Sequence, residues 1–265
     1  MTVDEQRARL LGNLQDTLSG YAAVSAAGCC EVVQGCLCVY SGRPAAVFNT
    51  VLPLAGVAGV HDLRRQAAAV DAWYRQKKAR WSLWLLEYQL TAECLRALPP
   101  LLAEYGLRLV SRGEGMAADG LSERQRALPE LQVQRVGRPA TRIEFCQVMG
   151  LAFLTPVQTF LDVYHNADYW AGSMHGYLGY WQGRAVSTAC VLASQGVLGV
   201  YGVAVLPELQ RRGFGEAMMR EVLEREMAET GQQRIVLEAS EAAVHLYRRL
   251  GFAKLTRVSI YSAAR

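Results

Sequence analysis

The chain lacks a strong charge of either sign. Its 265 residues carry a net charge of only +4, too mild to argue for a nucleic-acid partner. The basic residues are nearly all arginine and spread along the sequence, so they do not mark a phosphate-binding surface by themselves. It also lacks any apolar run near the ~18 residues of a membrane span. The longest candidate, "VLGVYGVAVLP", is short and broken by glycines. The N-terminal "MTVDEQRARLLGNLQDTLSG" mixes charges of both signs and has no apolar core of the kind a secretory signal needs. These absences predict a cytoplasmic protein without a membrane partner.

Metal-binding spacings are missing too. Seven cysteines are present, four of them in "GCCEVVQGCLCVY" as Cys29, Cys30, Cys36 and Cys38. No C-x-x-C occurs there and no histidine lies nearby, so the pattern suits a β-hairpin turning at Gln34-Gly35, with cysteine as a small apolar residue, better than a metal site. A disulfide framework does not fit a cytosolic chain. No metal is expected.

What is present is length and apolar content: 265 residues, 51% hydrophobic, enough for two domains of ordinary size. "DGLSERQRALPELQ", Asp119 to Gln132, is polar and aperiodic and reads as a linker, giving domains 1–128 and 129–265. Before it come strands around Val32–Tyr40 and Ala45–Leu52, a long helix over His61–Arg80, the strand "WSLWLLE", a helix "AECLRALPPLLAEY" broken at its prolines, and the strand region "GLRLVSRGEGMAA". After it, "RIEFCQVMGLAF" and "PVQTFLDVY" read as helices. A three-strand meander follows, turning at Gln182-Gly183 and Gln195-Gly196. A helix over Phe214–Thr230 buries Met218, Met219, Val222, Leu223 and Met227, places the pairs Glu216/Arg220 and Glu221/Arg225 on its other face, and stops at Gly231. The strand "RIVLEAS", the helix "EAAVHLYRRL" and the strand "FAKLTRVSIYSA" close the chain. Laying Gly106 on Gly251 aligns the two halves element by element, which suggests a duplication.

The informative stretch joins the meander to its helix. Gly213 and Gly215 sit where a strand hands over to a helix N-terminus, whose amides are unpaired and whose dipole end is positive. Without Cβ atoms, the chain there can bend and let a diphosphate approach. Arg211 and Arg212 add positive charge. A dinucleotide-binding fingerprint fails, because its third glycine would fall at Met218 and Pro207 intervenes; a Walker loop fails for want of Gly-Lys-Ser/Thr.

Val203 to Gly215, "V-x-V-x-P-x-x-Q-R-R-G-x-G", resembles the acyl-CoA signature of the Gcn5-related N-acetyltransferases. "SEAAVHLYRRLGF" is similar to the family's N-x-x-A-x-x-L-Y-x-x-x-G-F, with Ala243, Leu246, Tyr247, Gly251 and Phe252 matching and Ser240 replacing the asparagine. The resemblance covers roughly residues 132–265, while "FNTVLP" and "GLRLVSRGEGMA" resemble the degenerate N-terminal half of bacterial two-domain members.

The resemblance implies a mixed α/β fold of tandem acetyltransferase-like units, the second with a splayed central sheet. It implies acetyl-CoA as co-substrate, held by Val203, Ala204, Val205, Gln210, Arg211, Arg212, Gly213, Phe214, Gly215, Glu216, Ser240 and Tyr247. Val203 and Val205 would pair with the pantetheine arm. Tyr247 would be the general acid. Glu238 is the candidate base, with Tyr201, His175 and a water chain as rivals. The acceptor would be a primary amine of a small molecule, protein or peptide; a homodimer is left open. A non-catalytic acyl-CoA sensor and a structural interaction module are the rival functions. The first half has Leu102 opposite Tyr247, and its own G-x-G, in "SRGEGM", precedes no amphipathic helix.

Overall fold

The computed structural model describes residues 2–263. In chain order the elements are α1 (Val3–Ser19), β1 (Cys29–Val33), β2 (Cys36–Tyr40), β3 (Thr50–Pro53), α2 (Val60–Gln76), β4 (Ser82–Leu86), α3 (Ala92–Glu104), β5 (Leu107–Asp119), β6 (Gln132–Arg135), α4 (Pro139–Ala152), α5 (Val157–Tyr164), β7 (Met174–Trp181), β8 (Arg184–Ser194), β9 (Val197–Val205), α6 (Phe214–Thr230), β10 (Arg234–Ser240), α7 (Val244–Arg249) and β11 (Ala253–Ala263). Among the described residues no helix is long and apolar enough to cross a membrane.

The glycine-containing turns form where the sequence places them. Gln34-Gly35, Gln182-Gly183 and Gln195-Gly196 all have positive φ at both positions, the geometry that matches the twist of a two-residue hairpin. The first of these joins β1 to β2, so the cysteine-rich stretch is a hairpin.

One compact unit gathers residues 14–115, 239–241 and 254–263. Its strands run in the order β1-β2-β3-β4-β11-β5. β3 and β4 are parallel and joined through α2. Tyr74 of α2 is fully buried, stacks on Trp81 and has its hydroxyl within hydrogen-bond distance of the carbonyls of Val39 and Thr50, which share its one proton. Helix α3 is continuous through Pro99 and Pro100, against the expected break. Proline's φ is compatible with a helix, and burial of Cys94, Leu98, Leu101 and Leu102 along one side outweighs the lost backbone hydrogen bonds. Residues 46–48 form a 3-10 turn where a strand is expected.

The other unit gathers residues 2–13, 116–238 and 242–253. Its order is the end of β5, then β10-β9-β8-β7-β6. β6 to β9 are antiparallel neighbours, and β9 and β10 are parallel, joined through α6. The chain therefore does not divide at one cut near 128/129. Strand β11 pairs with β4, so the C-terminal residues count with the first unit, while α1 sends its first turns to the second. Each half nevertheless repeats the order strand, helix, parallel strand, helix, strand.

Candidate active site

In the second unit, β9 and β10 pair only at Leu198–Ile235, Gly199–Val236 and Val200–Leu237. Beyond them the strands part. The cause is visible in β9: between Ala204, opposite Thr188, and Tyr201, opposite Cys190, it holds one more residue than β8. Gly202 sits in this bulge with φ +57°, a conformation glycine adopts without strain. Tyr201, Gly202, Val203 and Val205 are partly open to solvent, whereas Leu198 and Val200 are buried. The open sheet edge therefore begins at the bulge, and Val203 and Val205 present backbone groups along it.

The chain then turns through Pro207–Leu209 into α6. Arg211 and Gly213 are left-handed, and Gly213, with φ +93°, is the N-cap. The amides of Phe214, Gly215 and Glu216 open the helix and have no partner four residues back. A Cβ on Gly215 would lie 3.3 Å from the tip of Leu246 and 3.7 Å from Val205, so the missing side chain leaves a shallow depression over the first turn. Gln210, Arg211 and Arg212 are exposed; Gln210 donates to the Val205 carbonyl at 3.1 Å, and Arg212 lies over the Trp181 ring. Phe214 is buried against Trp181.

Glu216 differs from the sequence reading. It is buried, not on an open face, and so is Arg220. The Arg126 guanidinium donates twice to its carboxylate, at 2.8 and 3.1 Å, with Arg220 and Arg249 also within ion-pair distance. Burial works to raise its pKa, but hydrogen bonds and charge from Arg126, aided by Arg220 and Arg249, outweigh it and hold the carboxylate ionised. Arg126 belongs to the segment read as a linker. That segment is pinned: Arg220 donates to the Ser122 carbonyl at 2.7 Å, and the Ser122 amide donates to Leu250 O. Glu216 thus offers a ligand its backbone amide, and its carboxylate is neutralised from within.

Glu238 is the first residue of β10 past the paired stretch. Its Oε1 is buried and has no hydrogen-bond partner. Burial pushes its carboxyl up to about 8. Tyr247, on α7, is 5% exposed and packs edge-on to Phe252. Its phenol is raised by burial and then by the charge of Glu238. The structure thus brings Tyr247 and Glu238 together electrostatically. Ser240 is exposed at the end of β10.

His175 lies elsewhere. With Glu226 and Glu229 it forms a group whose ligand atoms fall within 4.8 Å of one another. Arg135 Nη2 stands among them, 2.9 Å from His175 Nδ1, 3.2 Å from Glu226 and 2.8 Å from Glu229. A guanidinium already supplies the cation there. Of the four clustered cysteines, Cys36 and Cys38 are buried, and burial raises Cys36 to about 12, as expected for packing residues.

Residues 146–252, which span the bulge, the cradle, Glu238 and Tyr247, match the family described as Acetyltransferase (GNAT) family. This segment belongs to the GNAT family. Among solved structures, the chain is similar to a GCN5-related N-acetyltransferase from Kribbella flavida, with TM-score 0.71, 18% identity and coverage of 97% of this chain and 95% of that one. It is also similar to a functionally unknown conserved protein from Staphylococcus epidermidis, with TM-score 0.67, 13% identity and coverage of 92% and 97%. A tandem GNAT protein from the clavulanic acid biosynthesis pathway gives TM-score 0.54 at 11% identity over 99% and 96%. At these identities the likeness is one of fold: a tandem GNAT-like architecture over the whole chain. Among curated proteins none matches the chain.

Two residues that hold this region in place had no mark in the sequence: Arg126, which donates to Glu216, and the buried Asn13, which accepts from the Tyr201 hydroxyl. Arg126 sat in a stretch read for its lack of pattern. Asn13 sat in a segment read only for its lack of a signal peptide, although Leu10, Leu14 and Leu18, all buried, keep helical spacing there.

Proposed function

We propose that the chain is an acetyl-CoA-dependent N-acetyltransferase acting on a primary amine in a ternary complex. The observation that carries this reading is the parting of β9 from β10 just before Glu238, with a glycine-opened helix N-terminus following the parted, C-terminal end of β9. An acyl-CoA laid along the open edge would meet β9 backbone groups. Its diphosphate would meet the amides of residues 214–216, with Arg211 and Arg212 alongside.

In the reaction the amine nitrogen bonds to the acetyl carbon, the C–S bond breaks, and the amine gives up a proton. Glu238, with a pKa of about 8, is matched to accept that proton near neutral pH. Tyr247 stays protonated and donates to the leaving thiolate. Donors at the parted strand ends would stabilise the charge that develops on the carbonyl oxygen. On this reading the protein works in the cytoplasm on a small-molecule or peptide amine, with neither nucleic acid nor membrane as partner; a homodimer is compatible with it.

The test is release of CoA thiol from acetyl-CoA with benzylamine, putrescine and Nα-acetyl-lysine as acceptors. Turnover with an amine supports the enzyme; tight acetyl-CoA binding without amine turnover would favour a sensor instead.

A further inference from the structure

We propose that Arg126 is a positioning residue for the coenzyme: by latching segment 120–131 onto Glu216, it keeps Leu128 and Pro129 against Gly213 and so holds the first-turn amides of α6 set for the diphosphate. The proposal rests on the acetyltransferase reading above.

The loop that leads into these amides is not a relaxed one. Arg211 has φ +61° and Gly213 φ +93°. The left-handed region is uncommon for a bulky side chain, and such a conformation persists where neighbouring structure imposes it. Gln210, Arg211 and Arg212 are exposed, so little of that support comes from their own side chains. It comes from Phe214, packed on Trp181, and from segment 120–131. A Cβ on Gly213 would lie 3.1 Å from Pro129 Cδ and 3.4 Å from Leu128 Cδ2. The segment therefore runs past the loop at van der Waals range.

Its two ends are fixed. The Ser122 amide donates to Leu250 O at 3.0 Å, and Arg220 donates to Ser122 O at 2.7 Å. A Cβ on Gly179 would lie 3.2 Å from Leu131 Cδ1. Between these ends residues 123–127 are exposed, and Arg126 ties the middle down. Its Nε and Nη2 both donate to Glu216 Oε2. Glu216 is 3% exposed, so these charge-assisted bonds meet little competition from water. Glu216 follows Gly213 by three residues, less than one helical turn. Arg126 precedes Leu128 by two. The latch and the apolar contact thus grip the same first turn from one stretch of chain. Diphosphate binding needs the amides of residues 214–216 aimed together, and apparent affinity falls with the fraction of molecules in which they are.

The test uses the full chain and acetyl-CoA binding by calorimetry. Arg126→Gln should raise the acetyl-CoA Kd about tenfold, as expected if the freed loop is competent about a tenth of the time. Leu128→Ala, which changes no charge, should raise it by a similar factor. The double variant should lose less than about twofold more, because both changes release one segment. A second readout uses S-acetylpantetheine, a donor without the diphosphate, and whichever of the three amines above turns over fastest. With this donor kcat/KM of Arg126→Gln should fall less than about twofold. Equal losses with both donors would mean a general loss of structure and overturn the proposal. Wild-type affinity in Leu128→Ala, or losses that multiply, would make Arg126 a direct phosphate contact and overturn it as well, as would unchanged affinity in Arg126→Gln. Should Arg126→Gln fail to fold, Leu128→Ala decides alone. Wild-type protein that binds acetyl-CoA but turns over no amine overturns the enzyme reading, while the calorimetric cycle still decides the latch; wild-type protein that binds no acetyl-CoA overturns both.

Discussion

Glu238 lies near enough to the buried Tyr247 for its charge, added to burial, to keep the Tyr247 phenol protonated. The carboxyl proposed as base and the phenol proposed as acid thus share one environment, and the same burial raises both. Pairs of titratable groups tuned by their surroundings are a mark of acid–base sites.

Tyr247→Phe removes the hydroxyl and keeps the ring against Phe252. With a chemical step limiting the rate, kcat should fall by roughly 10²–10⁴-fold while acetyl-CoA affinity changes little. Wild-type kcat in the variant would reduce Tyr247 to a packing residue.

Glu238 sets two pH dependences. With its carboxyl near 8, kcat/KM should rise with pH through about that value as the base ionises, and Glu238→Gln should abolish this limb. Stability runs the other way. The folded chain holds the proton more tightly than the unfolded one, whose carboxyl titrates near about 4.3. The stabilisation is therefore complete below about 4.3 and lost as pH rises toward about 8. Thermal melts of Glu238→Gln against wild type should show the variant gaining relative stability across that window; parallel melting curves at every pH would show that the carboxyl is not desolvated.

Gly215→Glu places a side chain and a negative charge over the amides of the α6 first turn, beside the carboxylate of Glu216. Its Cβ meets the flexible end of Leu246 at 3.3 Å and the Val205 side chain at 3.7 Å, an ordinary contact, so the fold should survive while acetyl-CoA binding is lost. Calorimetry on the folded variant checks this; retained affinity would move the diphosphate elsewhere.

Gly199→Ala tests whether Asn13 needs an empty position on β9. The added methyl, 1.7 Å from Asn13 Oδ1 and 2.9 Å from Tyr201 Cε2, must displace one of them, so melting temperature should drop. A variant with wild-type stability would show that α1 is not seated as described.

The residues that could be read in advance are those whose conformation a local rule dictates. Gln182-Gly183 and Gln195-Gly196 are turns because two positive-φ residues between alternating strands leave few options. Gly202 is a bulge because an interior strand glycine weakens pairing unless it bends the chain. Gly213 and Gly215 announced a helix N-terminus. What escaped was set by distant partners. Glu216 and Arg220 have the spacing of a solvent-exposed pair, and only the linker folding over them makes them buried. Asn13 is polar in a polar segment, and its burial depends on Gly199, far along the chain. Pro99 and Pro100 break helices in isolation, but the helix they sit in is held by its buried side. Strand β11 follows α7 in sequence yet pairs with β4, a choice of partner that no local pattern encodes.

The first unit should bind no coenzyme. Its parallel pair β3–β4 parts after Val51–Leu83, as β9–β10 does after Val200–Leu237, but the chain itself fills the space beyond. Val57 forms a parallel bridge with Leu90, its amide donates to Gln89 O, and Gln89 Nε2 donates to Pro53 O at 2.7 Å. Backbone groups that would pair with a pantetheine arm are already satisfied. Leu102, opposite Tyr247 in the repeat, is a buried core residue. The G-x-G of "SRGEGM" lies within extended β5, where Gly113 admits the carbonyl of Ala239; a Cβ would come within 1.9 Å of that oxygen. Gly113 serves close backbone approach, not a phosphate. Titration with acetyl-CoA should therefore give one site per chain, and Gly215→Glu should remove it. A second site surviving that substitution would show that the β3–β4 gap opens to take coenzyme, and the division of labour between the halves would have to be redrawn.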